Sequence, residues 1–246
     1  MITIRRSNER GHANHGWLDS YHTFSFANYY DAKFMHFGAL RVVNQDRVDA
    51  AQGFGTHGHK DMEIVSYVLD GVLEHKDSMG NGSQMRPGDV QLMSAGSGVT
   101  HSEFNASPDT PMHFLQMWVF PKNKGTRPRY EQKAFSQEER QGQLRLVVSP
   151  DGEGGSLTID QDARLFASLF APGERVVHAL RADRSAWLHV ARGKIRLNGV
   201  DLGPGDGAAI RDEDELVFEG IEDAEVVLWE IAGPKVADDG NEVTTR

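Results

Sequence analysis

Two runs of the chain carry residues whose types and spacing could bind a metal. In T-H-G-H-K-D-M-E, His57, His59 and Glu63 form the pattern H-x-H-x3-E. In P-G-D-V-Q-L-M-S-A-G-S-G-V-T-H-S-E-F-N, His101, Glu103 and Asn105 recur at every second position. Side chains two apart on a strand project to one face. His57 then projects with His59, and His101 with Glu103. Two such strands brought together converge three imidazoles and a carboxylate on one point. The chain has no cysteine, so a metal must sit on nitrogen and oxygen. Fe(II), Mn(II), Co(II), Ni(II), Cu(II) and Zn(II) all accept such a set. With 11 histidines in 246 residues a lone H-x-H is weak evidence. The weight lies in the joint pattern: Glu63, the Gly-rich turn, and the H-x-E after it.

The elements that must position these residues read as β throughout. E-I-V-S-Y-V-L and V-L-E-H flank Asp70-Gly71, a dipeptide that signals a hairpin. Strands are also expected over 37–48, 90–93 and 99–104, with M-H-F-L-Q-M-W-V-F (112–120) buried on both faces. F-S-Q-E-E-R-Q-G-Q (135–143) has room for one short helix. His12 and His15 lie in H-A-N-H between Gly11 and Gly16, which reads as a loop rather than a metal site. Phe24, Phe26, Phe37, Met93, Phe114 and Trp118 are candidate pocket walls, although as aromatic and apolar side chains they read first as core.

The second half repeats the first. Y-V-L-D-G-V-L-E ahead of Pro87-Gly88-Asp89 is echoed by H-V-A-R-G-K-I-R ahead of Pro204-Gly205-Asp206. Matching the turns puts Ala179, Arg181 and Ser185 opposite His57, His59 and Glu63, and Phe218 and Gly220 opposite His101 and Glu103. The second copy thus lacks the ligands. His178 and His189 remain, and read as packed or hydrogen-bonded.

These motifs resemble the cupin superfamily. Its first motif is carried by His57, His59, Glu63 and Gly71, and its second by Gly88, Gly96, His101 and Asn105, with Ser94-Ala95-Gly96 where P-x-G is usual. Within the cupins the chain resembles the pirins, close to the bacterial pirin-like quercetin 2,3-dioxygenases. The run R-S-N-E-R-G-H-A-N-H-G-W-L-D-S-Y-H-T-F-S-F-A-N-Y-Y-D carries that likeness beside the two motifs. The resemblance implies an all-β bicupin: two stacked β-barrels of double-stranded β-helix (jelly-roll) type. The division is 1–143 with metal, 144–233 without, and a frayed tail at 234–246. It implies His57, His59, His101 and Glu103 as ligands, whereas many cupins use the glutamate of the first motif, here Glu63. Strand parity does not choose between the two. It further implies iron as the favoured metal, and O2-dependent cleavage of a flavonol with release of carbon monoxide. Glu103 is then the candidate base for the flavonol hydroxyl. The competing implication is an iron-binding, redox-sensing regulator that acts through a protein partner.

Composition narrows the rest. A net charge of -10 disfavours direct binding to a nucleic-acid backbone. No apolar run approaches a membrane span, and the N-terminal run lacks the apolar core of a signal peptide, so the cytoplasm is the expected location.

Overall fold

The computed structural model describes residues 1–233, and the segment 234–246, expected to be a frayed tail, lies outside them. Among the described residues there are twenty-two strands, one α-helix (Gln137–Arg140) and two 3-10 turns. No helix is long and apolar enough to cross a membrane.

Each half carries one seven-stranded and one four-stranded sheet. In the first half, strands Asp89–Ser94, Glu63–Asp70, Met112–Val119 and Leu40–Val48 lie side by side in the larger sheet. Gly53–His59, Val99–Asn105, Leu73–Asp77 and Gly82–Met85 form the smaller one. The second half repeats both orders, with Gly207–Ile210, Arg184–Arg192, Ala224–Ala232 and Ala163–Phe170 in its larger sheet. Arg175–Ala179, Glu215–Gly220, Ile195–Leu197 and Val200–Leu202 make its smaller one.

The Asp70-Gly71 turn is not a hairpin. Glu63–Asp70 pairs with Asp89–Ser94 and Met112–Val119, while Leu73–Asp77 pairs with Val99–Asn105 and Gly82–Met85. The turn, with Gly71 at φ 80°, carries the chain from one sheet to the other. Gly11–Asn14 is a strand rather than a loop, because it completes the sheet edge beside Leu18–His22. There His12 bonds Asp19 at 2.5 Å and stacks on Tyr21.

The larger sheets pack face to face. Val43, Val65, Leu115 and Met117 join Trp187, Val227 and Trp229 in one buried cluster. Phe24 and Phe37 belong to this seam, so these two are core and not pocket wall. The N-terminal strand Ile2–Arg5 is not in the first half's sheets. It adds to the edge of the second half's larger sheet, against Gly207–Ile210.

Candidate metal centre

Strands Gly53–His59 and Val99–Asn105 are direct neighbours, and His57 stands opposite His101 across the ladder. His59, two residues on, shares the face of His57 and stands opposite Val99. The ligand atoms of His57, His59 and His101 lie within 4.8 Å of one another. The Nε2 atoms of His57 and His101 face each other at 3.1 Å. His57 donates its Nδ1 hydrogen to the Gly55 carbonyl at 2.8 Å, which leaves its Nε2 lone pair free toward the cluster. Burial, and then the charge of neighbouring histidines, hold His59 down to about 4 and His101 to about 3. These two imidazoles are therefore neutral at neutral pH. Bare ring nitrogens aimed at one point are the donor set that a divalent transition metal takes up.

Glu103 follows His101 on the same strand, after a bulge opposite 54–57. With His101 and His75 it forms a second group whose ligand atoms lie within 4.8 Å of one another. Glu103 is 1% exposed, and burial raises its carboxyl above the usual range. Gln116 Nε2 donates to its Oε2 at 2.6 Å, and Ser66 Oγ to its Oε1 at 3.2 Å. Trp118 Nε1 donates to Gln116 Oε1 at 3.3 Å, so the side-chain amide that holds Glu103 is itself held.

Glu63 lies elsewhere. It shares a strand face with Val65 and Tyr67, toward the second half. Its carboxylate accepts Ser94 Oγ at 2.8 Å and the Asp160 amide at 3.3 Å. Parity between His59 and Glu63 carries no information here, because residues 60–62 take the chain from the smaller sheet to the larger.

The residue that sequence reasoning missed is His75. It stands opposite Glu103 in the ladder, fully buried, donates Nε2–H to Asp77 at 3.2 Å and stacks on Tyr130. Its signal was the two-residue period Leu73, His75, Asp77, which places it on the inner face once V-L-E-H is read as a strand. Asn105 has a structural role, since its amide donates to the carbonyls of Val48 and Thr110. Of the candidate walls, Trp118 packs edge-on against His59, and Phe26 against Trp118. A concavity of about 520 Å³ opens over His59, lined also by Gly58, Lys60, Ser78, Val99 and Thr100. Met93 and Phe114 lie in small apolar clusters at the two ends of the interior.

A duplicated pair of β-sheets with a histidine–glutamate cluster in one copy defines a metal-site protein of cupin type. The pirin family model matches residues 3–119, and a model described as the quercetinase C-terminal cupin domain matches 146–231. The chain belongs to the pirin family. It is 51% identical over 231 residues to a quercetin 2,3-dioxygenase of Escherichia coli K12, covering 94% of this chain and 99% of that one. A pirin-like protein of Caulobacter vibrioides is 42% identical over 94% of this chain and 100% of its own. Among solved structures, the bacterial pirin YhhW of Escherichia coli in complex with nickel(II) aligns with a TM-score of 0.90 at 49% identity, covering 95% of this chain and all of that one.

Proposed function

We propose that this chain is a metal-dependent dioxygenase that cleaves a flavonol such as quercetin with O2 and releases carbon monoxide. His57, His59, His101 and Glu103 would hold the metal, with Fe(II) the ion expected to serve turnover. The observation that carries the reading is the convergence of the His57 and His101 Nε2 atoms at 3.1 Å, with His59 beside them. The substrate class rests on the activity named for the Escherichia coli relative.

A bound divalent ion would supply an electrostatic anchor for the substrate oxygen and a neighbouring open position for O2. The chain supplies the rest. Glu103, raised by burial, takes the proton of the flavonol 3-hydroxyl. Gln116 and Ser66 fix which way its two oxygens point. Phe26 and Trp118 offer aromatic faces beside His59, suited to a flat phenolic ring.

The test is loss of flavonol absorbance in air, with carbon monoxide measured in the headspace. The iron-loaded protein turns over well above free iron. Glu103→Gln, measured at equal metal content, loses roughly 10²–10⁴-fold in rate. No turnover above free iron would sink the reading and favour the regulatory alternative. An unchanged rate in Glu103→Gln would remove Glu103 as the base.

Each half is proposed to close as one cupin barrel, with 1–143 the metal-binding unit and 144–233 its structural partner. The support is the shared face of Val43, Val65, Leu115 and Met117 with Trp187 and Trp229. A chain ending at Pro150 uncovers that face and is expected to aggregate. A monomeric 1–150 with full metal content contradicts the partner role.

A further inference from the structure

The repeat contains a second matched feature, outside the metal centre. In each half an arginine lies against the glycine of the Pro-Gly-Asp turn: Arg140 against Gly88, and Arg10 against Gly205. Both glycines have positive φ, 92° and 80°, and a Cβ at either would strike the guanidinium. Both arginines come at the end of an edge strand and one helical turn: Arg140 as the last residue of Gln137–Arg140 after Arg129–Ala134, and Arg10 just after Ser7–Glu9, which follows Ile2–Arg5.

Their surroundings match by register. Tyr67 and His189 each lie four residues before a turn glycine, Gly71 or Gly193, and stand opposite Leu115 and Val227. Gly71 backs onto Met112 and Gly193 onto Ala224, the residues before His113 and Glu225. Tyr67 therefore corresponds to His189, and Glu225 to His113. The two corners touch where Arg192 meets Asp70 at 3.0 Å.

Around Arg140 the set is closed. Its Nη1 meets Glu225 Oε1 at 2.9 Å and also donates to the Tyr67 hydroxyl, which donates to the same carboxylate oxygen at 2.6 Å. Around Arg10 the carboxylate is missing. His113 stands in its place, with its Nε2 taken by Gln45 at 3.0 Å. Arg10 donates to neutral acceptors: Ser7 O at 3.3 Å, Ser7 Oγ at 3.0 Å and Gln45 Oε1 at 3.0 Å. Asp206 is nearby, but it is held by Arg6 at 2.7 Å and by the Ser7 amide at 2.8 Å. No carboxylate lies within 4.0 Å of Arg10 or Arg47 among the described residues. Asp19, cross-strand from Arg47, is paired with His12.

Here the halves part to leave a cleft of about 570 Å³, walled by Arg10, Tyr21, Gln45, Arg47, His113 and, as its one carboxylate among the described residues, the His12-paired Asp19. His189, two residues from Ala191 on the same strand face, is 1% exposed, and among the described residues neither of its ring nitrogens has a hydrogen-bond partner. That imidazole does not itself line the cleft; it lies behind Ala191 of the cleft wall as an unsatisfied polar group of the interior next to it.

We propose that this cleft binds a small organic carboxylate, which supplies from outside the charge that Glu225 supplies from within at the matching position. Arg10 and Arg47 hold the carboxylate, and Tyr21 flanks its carbon skeleton. The site lies on the opposite face of the larger sheet from Glu103 and does not depend on the dioxygenase reading.

Isothermal titration calorimetry of the full-length chain with acetate, succinate and benzoate tests it. One or more of these binds at one site per chain, and the uncharged succinamide does not. Arg10→Gln weakens binding by roughly tenfold or more. His113→Glu restores the internal carboxylate, abolishes binding and raises the melting temperature. His101→Ala, which disables the metal cluster, leaves binding intact. The proposal is overturned if none of the three carboxylates binds, or if Arg10→Gln binds as tightly as the wild type. It is also overturned if binding is lost with His101→Ala, or if inorganic phosphate binds more tightly than any of the carboxylates.

Discussion

Facing positions on the matched small sheets are filled in opposite ways. In the first half they are His57 and His59 on one strand, and His101 and Glu103 on its neighbour. In the second half Val176 pairs with Phe218 and His178 with Leu216, and Leu216 and Phe218 sit inside a continuous apolar cluster. His178, the counterpart of His59, bonds Glu230 and packs on Phe166. Gly220 stands where Glu103 would be, and a Cβ there would strike the Ala171 carbonyl. The first interior keeps its apolar residues at its ends, in two small clusters, with Asn44, Asp46, Ser66, Gln91 and Gln116 between them. One scaffold thus serves twice. An interior filled with leucine, valine and phenylalanine supplies stability without chemistry, while the polar interior gives up apolar packing to hold ionisable groups.

The sharpest way to break this contrast is to count metal. His57→Ala or His101→Ala should empty the protein of metal, while His178→Ala and His189→Ala should leave one equivalent per chain. Elemental analysis of natively purified protein decides it, and two equivalents per chain would mean that the second interior is not inert.

A second test concerns the matched arginines. Glu225→Ala strands the buried Arg140 guanidinium and should cost about 3–5 kcal/mol in urea unfolding. Arg10 already lives without such a partner, so His113→Ala should cost clearly less. Equal losses would remove the distinction between the closed and open sets.

The last effect, carried by a single group, is the pH dependence of one buried carboxyl in the first half. Burial raises the Asp46 carboxyl to about 7, against the lowering effect of its bond from Ser20. The folded state then keeps a proton that the unfolded chain has lost, so the contribution of this carboxyl to stability falls as pH rises from about 4 to about 7, against the opposite contribution of the buried, lowered histidines. In metal-free protein Asp46→Asn should remove up to about 4 kcal/mol of that decline. Wild-type and Asp46→Asn stabilities that change in parallel across this window would contradict it.

Much of the candidate site was legible because period two is a local property. Within one strand, covalent geometry puts His57 beside His59 and His101 beside Glu103, whatever the rest of the chain does. The repeat, too, was visible in its glycine turns. Counting back from Gly193 to Ala179 and Arg181 slipped by three because ten residues (179–188) separate His178 from His189 where seven (60–66) separate His59 from Tyr67, so Val176 and His178 are the facing residues. Only the tertiary structure decided which sheet each strand joins. That choice sent Glu63 to the seam, brought His75 opposite Glu103, turned the Asp70-Gly71 corner between sheets, and lent Ile2–Arg5 and Arg10 to the second half. Such pairings are fixed by edge hydrogen bonds and buried faces between residues more than two hundred positions apart in the case of Ile2 with Ile210. No short-range pattern in the chain encodes them.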